Sequence, residues 1–150
     1  MVTPLPHLLR IAVLVLGALA LAASAKADLY VVVNAANPVK ALSQKEVVDI
    51  FMGRTRAFVG GEFAQALDLP RDSATRAAFY VALTGMSAAQ VNSYWSRLMF
   101  SGRTMPPQQL SGEPAMQEQV RRTPGAIGYL SAEPADKNLH VVLVLKEPAK

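Results

Sequence analysis

Two stretches of the chain are apolar at every position, Leu29-Tyr30-Val31-Val32-Val33 and Val141-Val142-Leu143-Val144-Leu145. Such runs predict strands covered on both faces, as in a sheet lying between helices. Between them the pattern turns helical several times. Ser43-Gln44-Lys45-Glu46 reads as a capping box, with Ser43 as the cap and Glu46 reaching back. The helix it starts carries Val47, Ile50 and Phe51 on one face and stops at Gly53. A second strand is predicted over about Ala64 to Leu69, and a second helix over Ser73 to Thr84, burying Phe79, Ala82 and Leu83. Ser87-Ala88-Ala89-Gln90 is another capping box. Its helix places Val91, Tyr94, Trp95, Leu98 and Met99 at i, i+3, i+4, i+7 and i+8, the stripe of an amphipathic helix with its aromatics in the core. Gly102 closes it. A further helix spans about Glu113 to Arg122, with Pro114 in its first turn. A short strand, Ala126 to Leu130, precedes the last one. The order β-α-β-α-α-α-β-β predicts an α/β fold: one small, mainly parallel sheet flanked by helices.

The start of the chain reads differently. Met1 to Arg10 carries one arginine and no acid, Ile11 to Ala23 is continuously apolar, and Ala25-Lys26-Ala27 offers a small-x-small pattern. This predicts a signal peptide over residues 1–27, cleaved before Asp28, and hence export to the periplasm. An uncleaved anchor is the alternative, although 13 apolar residues fall short of the ~20 that span a bilayer. No cysteine follows the run to carry a lipid. The remaining residues, 28–150, make one domain.

Composition narrows the chemistry. Removing Arg10 and Lys26 leaves 13 basic and 11 acidic residues, too mild a balance for a nucleic-acid binder. The chain has no cysteine, and only His140 remains in the domain, so neither a zinc site nor a Ser-His-Asp or Cys-His arrangement is expected. No acid pair suggests a general acid. An enzyme is therefore disfavoured, and no metal or cofactor is expected.

The segment Pro70-Arg71-Asp72-Ser73-Ala74-Thr75-Arg76 stands where a strand feeds a helix. Asp72 or Ser73 there can simply cap the helix. The same corner can also seat a small oxyanion, because first-turn N–H groups lack partners and carry partial positive charge. Ser73 and Thr75 would then supply hydroxyls and N–H groups, and Arg71 or Arg76 the charge. Other polar positions have plainer readings: Asn34 and Asn37 as a turn, Arg54 and Arg56 as complements to a helix C-terminus, and Ser101-Gly102-Arg103-Thr104 as a helix stop.

Three segments, in order, carry a resemblance. Ile50-Phe51-Met52-Gly53-Arg54-Thr55 resembles the I-F-x-G-K-x segment of periplasmic phosphate-binding proteins, which serve phosphate ABC transporters. Ser73-Ala74-Thr75 falls where those proteins have D-G-S-G-T, a helix-opening motif that binds phosphate. Pro124-Gly125-Ala126-Ile127-Gly128-Tyr129 matches their P-G-A-I-G-Y segment without a change. The chain thus resembles a short, single-lobe member of that superfamily, one half of a type II periplasmic binding protein, from about Leu29 to Leu145. The resemblance implies phosphate, or a similar oxyanion such as sulfate, as ligand, with Ser73 and Thr75 on matching positions. Asp72 and Ala74 replace the motif's glycines, Asn34-Ala35-Ala36-Asn37 does not match the family's first phosphate loop, and Arg71 and Arg76 align with no family ligand. A single lobe leaves an anion wet, and a wet ion pair contributes only about 0–1 kcal/mol, so weak binding is expected. The competing expectation is an envelope interaction module that keeps the fold, has lost the ligand, and docks a partner protein or itself.

Overall fold

The computed structural model describes residues 27–147. The predicted signal peptide, apart from Ala27, and the last three residues lie outside them. In chain order the elements are β1 (Leu29–Asn34), α1 (Gln44–Phe51), β2 (Gln65–Asp68), α2 (Ala74–Thr84), α3 (Ala88–Phe100), β3 (Gln108–Gln109), α4 (Glu113–Arg122), β4 (Ala126–Leu130) and β5 (Leu139–Leu145). The predicted order recurs with one addition, the two-residue strand β3. Both capping boxes form, at Ser43/Glu46 and at Ser87/Gln90. Gly85 ends α2 with φ 74°, in the left-handed region that suits glycine.

The five strands form one open sheet in the order β3-β2-β4-β1-β5. The expected mainly parallel sheet is instead mixed. β2 runs parallel to β3 and β4, whereas β1 is antiparallel to both β4 and β5. The physical reason is that an unbroken apolar run reports burial on both faces and carries no information on strand direction. β1, inside the sheet, needs the same side chains whichever way its neighbours run.

Helix faces close the core. Phe51 of α1, Phe79 of α2 and Tyr129 of β4 meet in one aromatic cluster. The Phe79 and Tyr129 rings stack with centroids 3.7 Å apart, and Phe51 meets Phe79 edge-on at 4.9 Å. On α3, Val91 and Trp95 are buried, Tyr94 and Leu98 are half-buried, and Met99 is exposed rather than in the core. On α2, Ala82 is half-buried, and the buried face belongs to Arg76, Phe79, Tyr80 and Leu83. A buried arginine in the first turn of a helix is the feature of this fold that an apolar-periodicity argument does not anticipate.

Candidate anion site

The corner between β2 and α2 has the geometry of a well-capped helix start. Ser73 is the N-cap, and its hydroxyl accepts from the Arg76 N–H at 3.1 Å. Its side chain is therefore committed to the helix, as the capping reading expects. Thr75 Oγ1 donates to Glu113 Oε1 at 3.0 Å, and the other oxygen of Glu113 accepts from the Ser131 N–H and hydroxyl at 3.1 and 3.0 Å. A carboxylate thus stands beside Thr75, which opposes an anion on that side. Arg71 is exposed. The N–H groups of Ala74 and Thr75 begin the helix and have no acceptor within it.

Arg76 turns inward. Only 2% of it is exposed, and burying a guanidinium demands compensation. Asp68, equally buried at the end of β2, supplies it: Arg76 Nε donates to Asp68 Oδ2 at 3.0 Å. Asp68 is itself saturated. Its Oδ2 also accepts from the Tyr80 hydroxyl at 3.0 Å, and its Oδ1 from the Tyr129 hydroxyl at 2.5 Å and the Leu69 N–H at 2.9 Å. The guanidinium carbon lies 5.0 Å from the Tyr80 ring centre, within cation–π range. Burial, reinforced by the Asp68 carboxylate, pushes the Tyr80 and Tyr129 phenols well above their ordinary range, so both remain protonated donors.

Two buried nitrogens have no hydrogen-bond partner among the described residues, Arg76 Nη1 and Trp95 Nε1. Both side chains wall the same cavity of about 270 Å³, shared with Asp68, Arg71, Asn92, Met99, Pro106, Pro107 and Gln109. β3 closes one side of it, because its parallel pairing sets Gln109 beside Asp68. Of the four residues expected at an anion seat, the structure gathers Arg71 and Arg76 at this cavity. Ser73 and Thr75 instead make contacts within the fold.

The cavity also gathers Asp68, Asn92, Trp95 and Gln109, which the sequence did not place at the corner before α2. The signal for Asp68 was present: an acid closing an apolar strand eight residues before an arginine needs a cation. Trp95 was hidden by its own periodicity, which predicts core and is satisfied by core, while its N–H points to a further need. Asn34 and Asn37 act as the turn expected of them. Asn34 Nδ2 donates to the carbonyls of Val120 and Arg121 at 3.1 and 2.9 Å, and Asn37 Nδ2 to that of Pro124 at 3.0 Å. Arg54 pairs with Asp49 near the end of α1 at 3.1 Å. Among the described residues no group of three or more His, Asp or Glu side chains could hold a metal.

Solved structures share this arrangement of elements. A protein assigned as a phosphate ABC transporter substrate-binding protein from Clostridium perfringens, with bound phosphate, matches with a TM-score of 0.62 and 22% identity, over 77% of this chain and 45% of its own. The chain has the fold of one lobe of such a protein. An ABC-type phosphate transport receptor from Vibrio cholerae matches with a TM-score of 0.60 and 23% identity, over 77% of this chain and 46% of that one. The chain therefore spans less than half the length of either. At these identities the likeness is one of fold. No protein-family model matches the sequence, and no curated protein matches it significantly.

Proposed function

We propose that this chain is an exported, non-catalytic module that binds a small oxyanion, phosphate or sulfate, weakly at the start of α2. The observation that carries the reading is Arg76, a buried cation in the first turn of a helix with one guanidinium nitrogen unsatisfied by any described residue. Arg71 adds an exposed second positive charge at the same cavity. Ser73 contributes by fixing the helix start, and Thr75 through its backbone N–H, since its hydroxyl is bound to Glu113. The relatives in fold are named for phosphate transport, which supports the oxyanion class. Among the described residues no helix is long and apolar enough to cross a membrane. Calorimetry at low salt tests the reading: phosphate or sulfate should give saturable heat at millimolar concentration, weakened in Arg71→Ala, and no heat from either overturns it.

One observation favours the alternative, a docking module without a ligand. Phe63 and Met105 are 62% and 66% exposed and line one cavity beside β3, an apolar surface of the kind that meets a partner protein. Sedimentation of the mature domain distinguishes a self-associating version, which a strict monomer excludes.

A further inference from the structure

Seven large apolar side chains stand exposed among the described residues, and three of them fall at the end of α3 and just beyond it: Met99, Phe100 and Met105, at 47%, 97% and 66%. Exposed apolar side chains scattered singly are ordinary, whereas three gathered at one place mark a binding surface. A Phe100 ring exposed to that degree touches almost nothing of its own fold. The turn that carries these residues is fixed to the helix. The Gly102 N–H donates to the Met99 carbonyl at 3.0 Å, and the Arg103 N–H to the Leu98 carbonyl at 3.3 Å. The apolar side chains are therefore presented by ordered backbone.

The same place is cationic. From Ser73 to Gly112 the chain has no acid, while it has Arg76, Arg97 and Arg103. Arg97 and Arg103 stand three positions before and after Phe100, and both are exposed. The spacing puts Arg97 beside Phe100 on the surface of α3. Arg56 joins them from another loop, its Nη2 donating to Thr104 Oγ1 at 3.3 Å. None of these three exposed arginines makes an ion pair among the described residues. Along the cavities walled by Met99 and Met105, the one acid is Asp68, which is buried and paired with Arg76.

A surface that is both apolar and cationic calls for a partner that is both apolar and anionic. A bilayer with anionic lipids has that layering, a sheet of negative phosphates over hydrocarbon. Phenylalanine and methionine side chains enter the boundary, and arginine stems lie along it with their charged heads among the phosphates. A fluid bilayer also needs no matching socket. A ring that stands clear of its own fold suits it, whereas a protein partner would have to supply a pocket of the same shape.

We propose that the end of α3 is a docking surface for an anionic bilayer. Phe100, Met99 and Met105 enter the interface, and Arg97, Arg103 and Arg56 meet the lipid phosphates. The proposal stands apart from the oxyanion reading, whose residues begin α2.

The test sediments the mature domain with vesicles of phosphatidylcholine alone and of phosphatidylcholine mixed equally with phosphatidylglycerol, at low and high sodium chloride. The domain should bind the anionic vesicles, leave the neutral ones, and lose binding as salt rises. Phe100→Ser should weaken that binding about tenfold, and Arg97→Gln with Arg103→Gln about twentyfold. Phe100→Trp adds a direct reading. Over the constant background of buried Trp95, its emission should shift to the blue on anionic vesicles, as an indole leaving water does. No binding to anionic vesicles, equal binding to both kinds, or binding unchanged in Phe100→Ser overturns the proposal. Competition by inorganic phosphate at matched ionic strength also overturns it, by placing the lipid phosphate at the start of α2, and leaves the oxyanion reading standing. A domain that ignores vesicles but dimerises through Phe100 in sedimentation assigns the surface to a second copy instead. Because the vesicle preference and its salt dependence are read on the unaltered protein, a misfolded variant does not remove the test.

Discussion

Arg76 Nε donates to Asp68 Oδ2 at 3.0 Å, and both side chains are almost wholly buried. The pair joins the end of β2 to the first turn of α2, and Tyr80 and Tyr129 bind the same carboxylate. Replacing Asp68 with alanine leaves a buried cation and two buried hydroxyls unpaired. The expected loss is about 3–5 kcal/mol, as for other broken buried pairs. Urea unfolding measures it against Asp72→Ala, an exposed neighbour expected to stay within about 0.5 kcal/mol of wild type. Equal midpoints for the two variants would refute a structural role for the pair.

Much of the fold was legible because its devices are local. Ser43 with Glu46, and Ser87 with Gln90, are recognisable from three-residue spacing, and both boxes form. Strand direction was not legible, since Val31 to Val33 would be equally apolar in a parallel or an antiparallel ladder. The candidate corner was legible by position only. The start of α2 could be named from Ser73 and its neighbours, but which way Arg76 turns depends on Asp68, and sequence spacing alone does not show that pairing. The Trp95 N–H was invisible for a related reason: a hydrophobic stripe accounts for the ring and says nothing of the one polar atom on it.

Gly53 holds Trp95 in place from the other side. Its φ is 71°, and a β carbon built there would lie 2.6 Å from Trp95 Cη2 and 3.2 Å from Thr104 Cγ2. Gly53→Ala combines a left-handed backbone that costs an alanine about 1–2 kcal/mol with a forced displacement of the indole. The variant should melt lower and show altered tryptophan emission. Gly60→Ala provides the contrast. It also has positive φ, yet nothing lies within 4 Å of its β carbon, so it should be destabilised without a change in emission.

Alkaline titration should probe the buried pair Tyr80 and Tyr129. Tyr80 and Tyr129 have phenols raised by burial and by Asp68. A raised folded-state pKa gives stability that is fully present below the unfolded value, near 10, and is lost as pH climbs above it. Folding stability should therefore fall steeply beyond that pH. Phenolate absorbance should show these two residues ionising only together with unfolding, as judged by far-ultraviolet circular dichroism. Ionisation of Tyr80 and Tyr129 in the still-folded protein would contradict the buried network.

Arg71 separates binding from folding. It is exposed and lies on the cavity wall, so Arg71→Ala should leave unfolding within about 0.5 kcal/mol of wild type. It should nevertheless weaken phosphate or sulfate binding severalfold, because it removes the one cationic charge at the cavity that Asp68 does not offset. The wild-type affinity should fall with added sodium chloride, as expected for a charge facing solvent, and that salt dependence should be shallower in the variant. Calorimetry at two ionic strengths, paired with urea unfolding of both proteins, measures all of this. An affinity indifferent to both Arg71 and salt would place the anion away from the start of α2.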